Sequence, residues 1–164
     1  MPNQDDLAAS PGYLMKWYYE SVGRNSNILL GLVIDQRGLI PDSDVKILTE
    51  FGVSLRNRFQ NPIKVINGNG DNISISLPSS TIVNLIELME DISQGHQIRE
   101  FVIEGKDSSE KWTEIFQGTA IGHRFLRWIP TQSYSEVRIR ISKSMGNPII
   151  KKFAIYNEEP LEDE

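Results

Sequence analysis

Cysteine is absent from the 164 residues. That excludes a disulfide framework and thiolate metal ligation, and it fits a reducing or an oxidising compartment equally. Histidine is nearly absent, with only His96 and His123; separated by a turn and a strand, they make no metal-binding spacing. No aspartate-rich loop reaches the ligand count a calcium ion needs, so no metal and no cofactor is expected. Positive charge is in the minority, 17 Lys and Arg against 22 Asp and Glu, for a net charge of -5. Nucleic-acid affinity needs clustered cations that release phosphate counterions, so nucleic acid is not an expected partner. No apolar run approaches bilayer length, and the opening MPNQDDLAAS is neither basic nor apolar. Membrane partners are therefore not expected, and an export signal of a secreted or periplasmic parent would lie upstream.

What remains is ordinary globular material: 39% hydrophobic and 24% charged residues, enough to bury a core. The chain has room for one domain, or for a small domain beside part of another. Ser10-Pro11 reads as a helix start, because a serine side chain accepts from unpaired amides and proline loses nothing by lacking its own. The helix should run from Gly12 to Val22, with Leu14, Trp17, Tyr18 and Val22 on one face and Gly23 as a left-handed cap. ILLGLVI, Ile28 to Ile34, then forms an unbroken apolar run, the pattern of a parallel strand covered on both faces. Asp35-Gln36-Arg37-Gly38 makes a turn, and Asp42 is placed to cap a second helix carrying Val45, Leu48, Phe51, Leu55 and Phe59. Helix, doubly covered strand and helix is one unit of a parallel α/β barrel, which needs about eight such units. Residues 1–60 thus read as the end of a (β/α)8-type barrel whose remaining strands are not in this chain.

From Asn61-Pro62 the period changes to two. Ile73, Ile75 and Leu77 alternate with serines; Ile86, Leu88, Phe101 and Ile103 follow; Val137, Ile139 and Ile141 alternate with Glu136, Arg138 and Arg140. Breaks are expected at 67–72, 93–95, 106–110, 131–135 and 144–148. Residues 61–157 therefore read as an antiparallel β-sandwich of jelly-roll or discoidin-like type, making the chain mainly β, and 158–164 as an acidic tail.

WYYESVGRNSNILL, DQRGLI and DVKILTEFG resemble the closing segment of the catalytic domain in glycoside hydrolase family 29, the alpha-L-fucosidases. LMEDISQGHQIREFVIEG, KWTEIFQGTAIGHRFLRW, SEVRIRISKS and PIIKKFAIY resemble, in the same order, that family's C-terminal β-sandwich. The resemblance spans Ser10 to Tyr156; Gly31, Val33 and Ile34 depart from it, standing where an asparagine and two prolines are expected. It implies a parent that hydrolyses terminal alpha-L-fucose from glycans with two carboxyl groups about 5 Å apart. It also implies that those carboxylates lie on earlier barrel strands. This chain alone would then be inactive, an accessory sandwich bracing the catalytic barrel, its principal partner. The alternative is a carbohydrate-binding module that takes a fucosylated glycan.

Candidate residues divide between these readings. Asp35 follows the catalytic end of the barrel-type strand, but a turn aspartate before Gly38 is the competing reading, and no catalytic residue is assigned. Arg24 and Asn25 fall at the opposite, stability end. Glu90 is in phase with Ile86 and Leu88 and so points inward, where a charge needs a partner. His123 and Arg124 are the expected partners, with Asp91 nearby, forming either a sugar pocket or barrel interface, or an internal network that fixes register. Trp128, on the face of Leu126 and Arg124, is the better exposed aromatic for stacking on a sugar, whereas Trp112 reads as core.

Overall fold

In the computed structural model the described residues are 9–107 and 111–161, with 79 and 80 described in backbone only. Ser10 Oγ accepts the Tyr13 amide at 3.3 Å, and Pro11 opens helix α1, Pro11–Glu20. Leu14, Met15 and Tyr19 are its buried residues, whereas Trp17, expected on the buried face, is 44% exposed. The left-handed residue after α1 is Asn25, at φ 63, and not Gly23. Gly23 serves a different need: a Cβ there would sit 2.6 Å from the Tyr19 carbonyl oxygen and 3.0 Å from Leu126 Cβ. The close approach lets Gly23 O accept from the Leu126 amide at 2.8 Å.

Residues 26–35 form no ladder. The expected strand has no neighbour to pair with among the described residues, and Leu29, Val33 and Ile34 stand 96%, 78% and 65% exposed. Asp35 closes the turn that follows. Its Oδ1 accepts from the amides of Arg37 (2.8 Å) and Leu39 (3.1 Å), and Gly38 takes φ 76. Those bonds hold the Asp35 carboxyl below the usual carboxylate range, Leu39 contributing most. Helix α2, Asp42–Phe59, is capped by Pro41 without a side-chain bond, so Asp42 is its first helical residue and not its cap. Asp42 and Asp44 at its start and Arg56 and Arg58 at its end suit the helix dipole. Phe51 is buried and Leu48, Leu55 and Phe59 partly so, but Val45 is exposed.

The remaining elements are β1 (Lys64–Asn69), β2 (Asn72–Glu90), β3 (Ile98–Lys106), β4 (Trp112–Gly118), β5 (Phe125–Ser144) and β6 (Ile149–Tyr156). They pair antiparallel in one six-stranded sheet, in the order β1-β6-β2-β5-β3-β4. Strands β2 and β5 are long and bent. The early part of β2 (72–76) pairs the late part of β5 (136–140), beside β3 and β4; its late part (81–88) pairs early β5 (125–134), beside β6 and β1. Two layers sharing two strands result, folded face to face as a sandwich. Register slips between Ser76 and Thr81, where Pro78 offers no amide to a ladder. The break expected at 131–135 does not occur: β5 runs through it, with Tyr134 1% exposed in the core.

Alternation sends Ile73, Ile75, Ile86, Leu88, Phe101, Ile103, Val137, Ile139, Phe153 and Ile155 into one core between the layers. A second cluster lies on the outside of the β5-β2-β6 layer, where Leu85, Leu126, Ala154 and Tyr156 meet Leu14, Met15 and Tyr19 of α1 and Phe51 of α2. Each large side chain buried there contributes about 1.5–3 kcal/mol, so the helices are held by the sandwich.

Candidate functional site

In late β2, side chains alternate between the two clusters. Glu90 follows Ile86 and Leu88 inward and is 2% exposed. Its partners are backbone amides: Oε1 accepts from Gln97 (2.6 Å) and Ile98 (2.9 Å), and Oε2 from Gly122 (3.2 Å). The nearest imidazole is His96, its Nδ1 3.8 Å from Oε2, and not His123. Three amides on one carboxylate tie the 91–97 loop, the start of β3 and the turn before β5 to the end of β2. Asp91 lies just beyond. Its Oδ1 accepts the Ser93 amide at 2.9 Å and stands 3.3 Å from Lys151 Nζ. The Ser93 bond, with Lys151 behind it, lowers its pKa. His123 is exposed, and its amide donates to Asn25 Oδ1 at 2.6 Å, clamping the turn after α1 to the turn before β5. Gly122, at φ 66, is the residue this clamp passes over.

Arg124 turns to the opposite side of the layer, where sequence reasoning had placed no anion. Glu87, 1% exposed on the face of Leu85, takes Arg124 Nη2 at 2.8 Å on Oε1, and Lys152 Nζ at 2.7 Å and the Tyr156 hydroxyl at 2.6 Å on Oε2. The Arg124 guanidinium also donates to the Tyr18 hydroxyl and lies 4.5 Å over the Phe59 ring. Burial, and then the bond to Glu87, push the Tyr156 phenol far up; burial raises Tyr18 as well, against the pull of Arg124. Strand parity could have found Glu87, since it shares a face with Leu85 and stands opposite Arg124, Leu126 and Trp128. Asn84, 3% exposed, was also missed; its amide pairs with both backbone groups of Glu158 and fixes the chain after β6.

Trp128 is half-buried, stacked on Tyr19 with centroids 5.6 Å apart, and has Arg58 5.9 Å from its ring centre. Burial pushes the Tyr19 phenol up to about 12, with Arg58 opposing. Trp112 is not in the core. It lies under Arg138, whose guanidinium carbon is 3.9 Å from the ring centre and whose Nε bonds Glu104 at 2.6 Å. The five candidates are therefore not one site. Glu90, Asp91 and His123 gather at one end of β2, whereas Arg124 and Trp128 sit under and beside the helices.

Several grooves border the helices, and two differ sharply in their linings. One, of about 570 Å³, is mostly apolar, lined by Leu14, Trp17, Leu29, Leu32, Val33 and Leu48 among others. The other, of about 430 Å³, lies between α1, early β5 and the C-terminal segment, with Lys16, Glu20, Arg24, Arg127 and Trp128 on its walls. Among the described residues no group of three His, Asp or Glu could hold a metal ion, and no helix is long and apolar enough to cross a membrane.

No family model matches the chain. It is 24% identical to alpha-L-fucosidase 1 of Arabidopsis thaliana over 97% of its own length and 41% of that protein. Among solved structures, a candidate alpha-L-fucosidase of Bacteroides thetaiotaomicron superimposes at a TM-score of 0.91 with 32% identity, covering 96% of this chain and 36% of that one. A glycoside hydrolase 29 family member from an unknown rumen bacterium gives a TM-score of 0.84 with 27% identity, over 99% of this chain and 31% of the other. The chain thus spans about two fifths or less of each of these relatives.

Proposed function

The chain belongs with the alpha-L-fucosidases of glycoside hydrolase family 29, of which it matches a C-terminal portion, and we propose that it closes and braces the catalytic barrel of such an enzyme. In this reading residues 1–60 supply the last helix-strand-helix unit of the barrel, 61–157 are the accessory sandwich, and the whole enzyme removes terminal alpha-L-fucose from glycans. One observation carries it. The apolar run 28–34 lies unpaired, with Leu29, Val33 and Ile34 in solvent beside an apolar groove. Leaving Leu29 and Val33 so exposed forgoes several kcal/mol of burial, which a neighbouring parallel strand and its helix would restore. Glu87 and Glu90, the buried carboxylates, project to opposite faces of β2 and are each held by three donors within the chain. Neither is free to act as nucleophile or acid, so the chemistry is assigned to the rest of the enzyme.

The test is complementation. The full chain is mixed with the catalytic portion of the Bacteroides thetaiotaomicron relative, and hydrolysis of an aryl alpha-L-fucoside is followed with amide exchange in residues 26–35. The chain alone should give no turnover; the mixture should gain activity and protect 26–35, and Leu29→Asp with Val33→Asp should abolish both. Turnover by the pure chain, or activity in the mixture without protection of 26–35, would overturn the proposal.

A further inference from the structure

The groove beside Trp128 has a composition that bracing a barrel does not require. Lys16 projects from α1, and Arg24 and Arg127 from adjacent backbone, since Arg24 bridges Phe125 and the Leu126 amide bonds Gly23. Among the described residues none of these three cations has a carboxylate within ion-pairing distance, so three unneutralised positive charges line one groove of a chain whose net charge is -5. Arg127 is held in place by stacking, its guanidinium carbon 4.3 Å from the Phe116 ring centre. Between the cations the wall is apolar: Leu126, and the Trp128 ring stacked on Tyr19.

We propose that this groove is a secondary binding site for an acidic saccharide, one bearing sulfate esters or carboxylates. Planar guanidinium groups match such oxyanions with paired hydrogen bonds. An apolar wall of leucine and aromatic carbon suits the C–H face of a pyranose, and Glu20 at the rim accepts from sugar hydroxyls. The choice of saccharide over other anions rests on the fucosidase reading. Arg24 precedes the 28–34 run, so the groove lies toward the end of the barrel opposite the one where such barrels keep their chemistry. Its occupant would hold the enzyme on a charged glycan without entering the catalytic mouth.

The full chain is titrated calorimetrically with a sulfated fucose tetrasaccharide, with its desulfated counterpart and with tetragalacturonate. Saturable binding of a charged probe is expected, weakening as salt is raised, with the desulfated probe at least about tenfold weaker. Arg24→Gln with Arg127→Gln, both on exposed side chains, should cost a similar factor and leave the thermal midpoint in place. Binding of the sulfated probe alone assigns sulfate, and of tetragalacturonate alone assigns carboxylate. Absence of binding by both charged probes, equal binding of the neutral one, or an undiminished double variant would overturn the proposal. Because no catalytic portion is present, failed complementation and failed binding are separately visible.

Discussion

Glu87→Ala tests the arrangement that joins helices to sandwich. The carboxylate is 1% exposed and serves Arg124, Lys152 and Tyr156 at 2.8, 2.7 and 2.6 Å. Removing one member of a buried pair costs about 3–5 kcal/mol, because the partner's charge is left uncompensated. Lys152, with its side chain 27% exposed, can turn to water; Arg124, 18% exposed and hemmed by Tyr18 and Phe59, cannot. One stranded cation and one stranded hydroxyl put the expected loss near 3–4 kcal/mol. For a chain of this size that lowers the midpoint by roughly 10 °C. Urea unfolding followed by tryptophan fluorescence measures it, with the slope unchanged if the native state stays compact. Adding Arg124→Leu to Glu87→Leu removes the orphan, so the pair should be far more stable than the sum of the two singles. A loss below about 1 kcal/mol for Glu87→Ala, or additive behaviour of the double variant, would refute the account, since either would show that the charge is not trapped.

Glu90→Gln keeps the shape but sets an amide donor against one of the three amides the carboxylate serves, and should cost about 1–3 kcal/mol; faster exchange of the Ile98 and Gly122 amides locates the damage. Leu29→Ser with Val33→Ser should change the stability of the chain by less than about 0.5 kcal/mol while raising its solubility, whereas Leu14→Ala, at a site 4% exposed, should cost about 2–5 kcal/mol in the same assay. Tyr18, Tyr19, Tyr134 and Tyr156 all have phenols raised by burial. Raised folded pKa values contribute stability that is complete below the unfolded value of about 10 and lost as pH climbs through the folded values. Ultraviolet titration of the five tyrosines should therefore show most ionising late and together with unfolding; four ionising near 10 in the native protein would contradict it.

The parts of this structure legible in the sequence were those decided by neighbours in the chain. Ser10-Pro11 marked the start of α1, and strict alternation put Ile73, Ile75, Val137 and Ile139 inside. Alternation sends Glu90 inward, but its partners are the amides of Gln97, of Ile98 at the start of β3 and of Gly122 before β5, which no pattern of side-chain types announces. Glu87 was overlooked because parity assigns a side chain to a face without saying what covers that face. The run Thr131 to Ser135 is turn-like in composition, yet Tyr134 finds a place in the core and the strand bends without ending. Gly23 resembled a left-handed cap, but the position demands absence of a Cβ beside Leu126, and Asn25 takes the left-handed turn.

The described elements change from helix to strand near residue 60, but the two parts share a core. Helices α1 and α2 cover the outer face of the β5-β2-β6 layer with Leu14, Met15, Tyr19 and Phe51, and turn Trp17, Ile47 and Leu48 toward the apolar groove. A purely greasy contact could slide, since burial has no direction; the Arg124–Glu87–Lys152 cluster beneath it has fixed geometry and does not. The pair of helices is therefore held at one position on the sandwich, and the unpaired 28–34 run between them is presented there. If that run completes a barrel, sandwich and barrel stabilities are linked through Glu87. In the whole enzyme Glu87→Ala should then lower the temperature at which fucosidase activity is lost by about as much as it lowers the unfolding midpoint of this chain, with KM unmoved at lower temperature. A raised KM at low temperature would instead place Glu87 in contact with the active site, and unchanged inactivation would mean that the helices are held by the barrel alone.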